Sequence, residues 1–248
     1  MSRRRFFAPP DAFAGQSVTL TSDEAKHLRD VLRLKHEDEV YVFDGEGKEF
    51  RCTIAQMNRN EVTLENCEEM DPAHPESPLQ FTLAVALLKG EKFDLVVQKA
   101  TELGVSRIVP VATQYADIHL RDASDADKRV SRWRRIALEA AKQCGRAKVP
   151  EVRMPVTFDS LMTTSDESVR LMFSERKGKT LSDSLLVSPP PTSVSALVGS
   201  EGGWSDEEIS QASAAGWKVV TLRGRVLRAE TAAIAVSVLL QHVYGDLK

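Results

Sequence analysis

The feature that most constrains the fold is a series of short apolar runs in the second part of the chain, separated by segments of helical periodicity. The runs read FTLAVALL, RIVPVAT, VRLMFS and SALVG. Strands buried on both faces are nearly continuously apolar, and strands that alternate with helices form parallel sheets covered by helices on both faces. We therefore expect an α/β domain with a parallel sheet.

The first part of the chain has a different pattern. Residues 39–66 alternate apolar and polar positions around Gly-rich and Asn-rich turns, which predicts a small, mostly β domain. Between the two patterns, residues 68–78 contain three prolines and four acids, a composition typical of a linker. We place the small domain at residues 1–72 and the α/β domain at residues 73–248.

The composition narrows the classes of protein and partner. The 248 residues are 42% hydrophobic and 28% charged, as in globular proteins, and no apolar run is long enough to span a membrane. Three cysteines, an odd number at unrelated spacings, argue against a disulfide framework and favour the reducing cytoplasm. The five histidines stand far apart, so we expect no structural metal.

A basic helix is the strongest candidate for a nucleic-acid surface. The net charge is −3, so an RNA partner would need a local basic patch. Residues 128–148 have helical spacing and carry eight basic residues against one acid. Such a face can also be merely solvated, and that alternative stays open. The candidate RNA-binding residues are Arg3, Arg5, Lys92, Arg135 and Arg146.

A glycine-rich loop, VGSEGGWSDEE at 198–208, is predicted between a strand and a helix. Ser205 and Glu208 have the spacing of a capping box, which marks the helix start. The glycines allow a ligand to approach bare main chain. Because the lysine of a phosphate-binding loop is missing, the loop is not expected to hold its ligand by phosphate groups. A purely structural turn is the alternative.

A second loop, LRGRVLRAETAA, leads into a helix that is apolar on almost every side. Such a helix is buried or lies in a subunit interface, and we expect a homodimer through residues 229–243. Three arginines in this loop, Arg223, Arg225 and Arg228, indicate an anionic partner. Glu230, in the first turn of the helix, suits a structural role beside the helix dipole or an arginine.

These two loops resemble the signature motifs of RsmE, the 16S rRNA (uracil-N3) methyltransferase family of the SPOUT superfamily. The similarity continues through AKHLRDVLRL, VFDGEG, KGEKFDLVVQKATELGV and RWRRIALEAAKQCGRAKVPEV. It implies a PUA-like N-terminal β-barrel that binds RNA, a C-terminal domain with a trefoil knot that binds S-adenosylmethionine, and a homodimer. It also implies methylation of a uridine at N3 in the small-subunit rRNA, in the cytoplasm.

The resemblance implies a site in which three segments converge: LMFSER at 171–176, VGSEGG at 198–203 and LRGRVL at 222–227. Arg228 is the first candidate for stabilising the ionised uracil, and Arg225 is the second. The expected cofactor-binding residues follow the three predicted strands: Met172, Phe173, Ser174, Val198, Gly199, Ser200, Glu201, Gly202, Gly203, Leu222, Gly224, Val226 and Leu227.

The sequence departs from the family pattern at two points. Ser200 replaces a usual proline, and the glycine of the second loop stands at 224, with Arg223 at the usual glycine position. An arginine at positive φ would cost about 1 kcal/mol. Two other functions stay open: a SPOUT ribose 2′-O-methyltransferase and a non-catalytic rRNA-binding assembly protein. A nucleotide hydrolase is disfavoured because no phosphate-loop lysine is present.

Overall fold

The computed structural model describes residues 3–116, 118, 122–164, 169–184 and 189–248. The chain divides into two compact units. The first comprises residues 1–76 and 138–149, and the second comprises residues 77–137 and 150–248. The first unit therefore includes the C-terminal part of a long helix that begins in the second.

The first unit is built on a six-stranded sheet in the order β1-β4-β5-β6-β3-β2. Its strands are β1 (Arg5–Phe7), β2 (Phe13–Ala14), β3 (Ser17–Thr21), β4 (Glu39–Phe43), β5 (Glu49–Met57) and β6 (Glu61–Met70). The β1–β4 pair is parallel and the other pairs are antiparallel. A 3₁₀ turn (Pro10–Ala12) precedes β2, and helix α1 (Ser22–Lys26) continues into a π-helical turn (His27–Val31). The small β unit predicted from residues 39–66 is confirmed.

The cysteine prediction was wrong for this unit. Cys52 on β5 and Cys67 on β6 form a disulfide, with Cα atoms 4.3 Å apart, and both are buried in the core of the sheet. Their separation of 15 residues looks unrelated to pairing in the sequence, but the β5–β6 hairpin places residues 51 and 68 opposite each other. The register of the hairpin therefore determines that Cys52 and Cys67 pair. Cys144 is not part of this disulfide and is half-buried.

The second unit contains an eight-stranded parallel sheet in the order β10-β8-β7-β13-β11-β14-β12, with β9 beside β8. Its strands are β7 (Gln80–Ala86), β8 (Arg107–Ala112), β9 (Glu151–Val152), β10 (Val156–Thr157), β11 (Val169–Phe173), β12 (Lys179–Thr180), β13 (Ser193–Val198) and β14 (Lys218–Thr221). The helices are α2 (Lys92–Glu102), α3 (Ala123–Cys144), α4 (Phe158–Thr164), α5 (Leu181–Ser184), α6 (Asp206–Ala214) and α7 (Ala229–Tyr244). The parallel α/β domain predicted from the apolar runs is confirmed.

The order of three neighbouring strands positions the site. Strand β11 lies between β13 and β14, and Phe173, the last residue of β11, pairs with Val198 and with Val220. Because parallel strands end at the same edge of a sheet, the segments that follow them leave the sheet side by side. Residues far apart in sequence thus meet at one edge.

Helix α7 packs one face inside its unit and leaves another exposed. Ala233, Val236 and Leu240 are buried, whereas Val238 and Leu239 are 40% and 37% exposed. Only one face of the helix is therefore buried in the core of its unit. Among the described residues, no helix has the length and apolar character needed to cross a membrane.

Candidate active site

A cavity of about 360 Å³ lies at the carboxyl edge of β11, β13 and β14. Its size falls within the usual range for small-molecule sites, and sites in parallel sheets form at this edge. The three segments expected to converge all contribute to the wall, which consists of Phe173, Ser174, Glu175, the run from Val198 to Trp204, Leu222, the run from Arg225 to Ala229, and Ala232.

The glycine-rich loop is held by main-chain and capping hydrogen bonds. The amide of Gly203 donates to the carbonyl of Ser200 at 3.0 Å, and the Ser200 hydroxyl donates to the carbonyl of Tyr115 at 3.0 Å. The capping box is confirmed: the Glu208 amide donates to Ser205 Oγ, and the Ser205 amide donates to the Glu208 carboxylate. Serine at position 200 therefore has a definite structural use in this chain.

The glycines of this loop are required by close neighbours. A Cβ on Gly199 would lie 3.0 Å from the Trp204 ring, and one on Gly202 would lie 2.7 Å from Cβ of Tyr115. Gly203 has φ of +69°, and a Cβ there would lie 2.8 Å from Oε1 of Glu175. The loop thus presents bare main chain, whose amides and carbonyls can recognise a planar base without any phosphate-binding lysine.

The arginine loop carries no strain at the displaced glycine. Gly224 has φ of +111°, and Arg223 does not adopt a positive φ. The glycine has moved together with the backbone position that needs it, so the cost expected for an arginine at 223 does not arise. Arg225 and Arg228 are exposed, and neither side chain forms a hydrogen bond or ion pair with another described residue. Both guanidinium groups are available to an anion at the cavity.

A compact group of charges adjoins this cavity. Nζ of Lys92 lies 2.7 Å from Oε1 of Glu201. This hydrogen bond raises the pKa of Lys92, the charge of Glu230 raises it further, and Arg228 opposes the shift. Glu230 is 9% exposed, and its Oε2 has no hydrogen-bond partner among the described residues. The expected pairing of Glu230 with an arginine is therefore not found in the described part of the chain.

Most residues expected at the site line the cavity, and two do not. Met172 is completely buried in the hydrophobic core behind Phe173, and Gly224 lies in the arginine loop outside the wall. Four lining residues were not predicted from the sequence: Glu175, Trp204, Ala229 and Ala232. Position alone could have suggested three of them, because Glu175 follows Ser174 after the end of β11 and the two alanines are one helical turn apart on α7.

The candidate RNA-binding residues of the first unit have intramolecular partners. The Arg5 side chain is 6% exposed; its Nε lies 3.1 Å from Glu49, and its other nitrogens donate to the carbonyls of Ala141, Lys142 and Arg146. Arg146 is 7% exposed and pairs with Glu76 at 2.6 Å. Arg3 lies 3.3 Å from Glu49 and stacks over Tyr41. This geometry favours structural roles for Arg5 and Arg146.

The two candidates of the second unit are placed differently. Lys92 pairs with Glu201 at the cavity, whereas Arg135 is exposed on α3 and its side chain has no hydrogen bond or ion pair to a described residue. Within the described residues, no group of three His, Cys, Asp or Glu side chains could hold a metal ion. His119 lies outside those residues.

Comparisons with known proteins point to one family. The family model described as RNA methyltransferase domain matches residues 75–241, and the model described as RNA methyltransferase PUA domain matches residues 20–65. Ribosomal RNA small subunit methyltransferase E of Synechocystis is 33% identical over 92% of this chain and 74% of its own length. The protein of the same name from Bacillus subtilis is 28% identical over 93% of each chain.

Solved structures give the same result over the whole chain. The Neisseria gonorrhoeae ribosomal RNA small subunit methyltransferase E, bound to S-adenosyl methionine, is 32% identical with a TM-score of 0.88 and full coverage of both chains. A Legionella pneumophila methyltransferase in complex with the same cofactor is 34% identical with a TM-score of 0.90, again with full coverage of both chains.

Proposed function

The chain belongs to the ribosomal RNA small subunit methyltransferase E family, and we propose that it transfers a methyl group from S-adenosylmethionine to N3 of a uridine in 16S rRNA. The observation that carries the proposal is the joining of two features at one cavity. One wall is bare main chain from the glycine-rich loop, and the other presents the guanidinium groups of Arg225 and Arg228, which have no ion pair with a described residue.

The residues around the cavity fit S-adenosylmethionine. Main-chain groups of Gly199 to Gly203, Leu222 and Leu227 would hold the adenine, and the carboxylates of Glu175 and Glu201 suit a ligand that carries positive charge and hydroxyl groups. A site for a nucleoside triphosphate would instead need a cation on the glycine-rich loop. The cofactor supplies an electrophilic methyl group when bound.

The remaining chemistry falls to the protein, because uracil N3 carries a proton. Its pKa lies roughly two units above neutral, so ionisation at neutral pH costs about 3 kcal/mol. One or two cations held at the ring in a water-poor site can supply this amount. Arg228 is the first candidate for that role and Arg225 the second, and both stand at the cavity without a competing ion pair to a described residue.

RNA binding in this proposal involves the exposed basic face of α3 and the small domain. Lys128 and Arg135 are exposed on α3, and cations of this kind bind the phosphate backbone. The match of residues 20–65 to an RNA methyltransferase PUA domain supports a role for the small domain in RNA recognition. A small-subunit rRNA substrate supports a cytoplasmic location for the protein.

We further propose a homodimer in which the exposed face of α7 meets a second copy. The support is an apolar surface formed by Val226, Leu227, Val238, Leu239 and Val243, which are 37–81% exposed. Isolated domains rarely leave so many neighbouring large apolar side chains in water. The trefoil knot of the family belongs to the same proposal, supported by the three adjacent loops that follow β11, β13 and β14. Sedimentation at micromolar concentration tests the dimer, and a monomeric mass contradicts it.

The central test is a methylation assay with small ribosomal subunits from cells that lack this protein. We expect incorporation of one methyl group, and mass mapping should locate it as 3-methyluridine. A methyl group on ribose would instead support the 2′-O-methyltransferase alternative. Absence of both methylation and calorimetric binding of S-adenosylmethionine would favour a non-catalytic rRNA-binding protein.

A further inference from the structure

Two carboxylates lie beside the cation that the proposed function needs. Glu201 lines the same cavity as Arg228, and Glu230 lies two residues beyond Arg228 in the first turn of α7. Left uncompensated, two negative charges here would attract Arg228 and lower the positive potential at the cavity. The availability of Arg228 for a substrate anion therefore needs an explanation.

The compensating charge comes from the start of α2. Lys92 is the first residue of that helix, and its ammonium group lies 2.7 Å from Glu201. Helices α2 and α7 pack against each other, and the charges of Glu230 and Arg228 act in opposite directions on the pKa of Lys92. The four side chains together carry two positive and two negative charges. The charged residues that line the cavity itself are Glu175, Glu201, Arg225 and Arg228.

Because Glu230 is buried, its negative charge is the one in this group that most needs compensation. The residue is 9% exposed, and its Oε2 has no hydrogen-bond partner among the described residues. A buried carboxylate without such bonds depends on nearby positive charge. The start of α7 supplies a partial positive charge, and Lys92 supplies a full one.

We propose that Lys92 is a positioning residue of the active site, whose ammonium group compensates Glu201 and Glu230 and thereby leaves the charge of Arg228 free to stabilise the ionised uracil ring. The inference rests on the proposed function. It assigns Lys92 to the electrostatics of the site rather than to the direct RNA contact expected from the sequence.

Three variants test this role, with a matched control on the same helix. Lys92→Met removes the charge, and Lys92→Arg retains it. Lys92→Met with Glu230→Gln removes one charge of each sign and restores neutrality. Lys99→Met is the control, because Lys99 also pairs with a glutamate, Glu102, at 2.9 Å and is equally exposed (37% against 36%). Its partner Glu102 lies outside the cavity wall, whereas Glu201, the partner of Lys92, lines the cavity.

The first readout is the methylation rate against pH at saturating S-adenosylmethionine. Lys92→Met should lower the rate near neutral pH by about five- to tenfold, the effect of one charge at moderate distance near the protein surface. The rate should recover as pH rises toward the pKa of free uracil, where the ring ionises without help. Lys92→Arg and the double variant should regain most of the neutral rate, and Lys99→Met should match the wild type.

The second readout does not depend on turnover. Binding of 5-fluorouridine to protein loaded with S-adenosylhomocysteine is followed by ¹⁹F NMR between pH 6 and 10, because the fluorine shift reports ionisation at N3. The wild type should lower the pKa of the bound ring, and Lys92→Met should lower it less. Unfolding curves of all variants check that each is folded.

The outcomes separate the two proposals. If the wild type leaves the pKa of the bound ring unchanged and methylates no uracil, the proposed function fails. If the wild type lowers that pKa and Lys92→Met lowers it equally, Lys92 does not act through the electrostatics of the site. A loss of rRNA affinity in Lys92→Met, with a reduced salt dependence and an unaltered ring pKa, would instead make Lys92 an RNA contact.

Discussion

Two pairs of arginines in this molecule carry the same charge in opposite surroundings. Arg5 and Arg146 in the first unit are 6% and 7% exposed and bind carboxylates and main-chain carbonyls. Arg225 and Arg228 in the second unit are exposed at the cavity and have no ion pair with a described residue. The side chains of the first pair bond within the fold, whereas those of the second pair have no such partner among the described residues. The partners of the side chains, rather than their charge, distinguish the two pairs, and the proposed function assigns the second pair to the substrate.

The largest expected effect is on stability, in the first unit. Arg5→Met leaves the completely buried carboxylate of Glu49 without its nearest cation. Breaking such a pair typically costs about 3–5 kcal/mol of unfolding free energy. Denaturant unfolding measures the change, and Arg4→Met, at an exposed neighbouring position, is the control. If Arg5→Met leaves the unfolding free energy almost unchanged and weakens RNA binding, Arg5 is an RNA contact, as predicted from the sequence.

The next effect concerns the glycine-rich loop. Gly203→Ala places a methyl group 2.8 Å from the Glu175 carboxylate at a φ of +69°. Alanine is strained by about 1–2 kcal/mol at this φ, and the added methyl group displaces the Glu175 side chain at the cavity wall, so affinity for S-adenosylmethionine should fall roughly tenfold. Gly15→Ala is a matched control, because Gly15 has φ of +64° with no atom near the added methyl group. Equal calorimetric affinities for the two variants would show that Gly203 does not belong to the cofactor site.

A smaller effect is expected on the exposed face of α3. Arg135→Ala should weaken rRNA binding by about 1 kcal/mol and reduce the slope of log K against log salt by about one, without a change in stability or cofactor affinity. Titrations at several salt concentrations measure the slope, and Arg135→Lys should retain it. An unchanged slope in Arg135→Ala would mean that this charge is only solvated.

The smallest expected effect is on the stability that a surface ion-pair cluster at Glu151 contributes. Burial pushes the pKa of Glu151 up, but hydrogen bonds from Arg107 and Arg153 outweigh it and hold the pKa below its ordinary value of 4.5. The cluster therefore stabilises the fold above pH 4.5, and the contribution is lost as pH falls through the lowered pKa. Because these side chains are half-exposed, Glu151→Gln should cost less than about 1 kcal/mol at pH 7. Thermal unfolding at pH 7 and pH 3 checks this, and a deficit that persists at pH 3 contradicts it.

Much of the architecture was predictable because it depends on local patterns. The apolar runs predicted the main strands, and the Ser205–Glu208 spacing predicted the start of α6. The resemblance predicted which loops meet. Each of these features depends on the types and spacing of a few consecutive residues.

The rest depends on partners that are distant in sequence. The Cys52–Cys67 pair follows from the register of a hairpin, and the burial of Arg146 follows from Glu76, 70 residues away. The placement of Glu175 against Gly203 follows from the order of β11 and β13 in the sheet. No local pattern specifies a register or a strand order, so the sequence alone could not predict these contacts.

The most direct test of the account is the single-turnover methylation rate of Arg228→Ala as a function of pH, with saturating S-adenosylmethionine. Removal of one charge-stabilising donor should lower the rate at neutral pH by about two to three orders of magnitude with little change in cofactor affinity. The deficit should shrink as pH rises toward the pKa of free uracil N3, where the ring ionises unaided. A wild-type rate across neutral pH would show that Arg228 does not stabilise the ionised uracil, and the role would pass to Arg225 or to a cation of a second subunit.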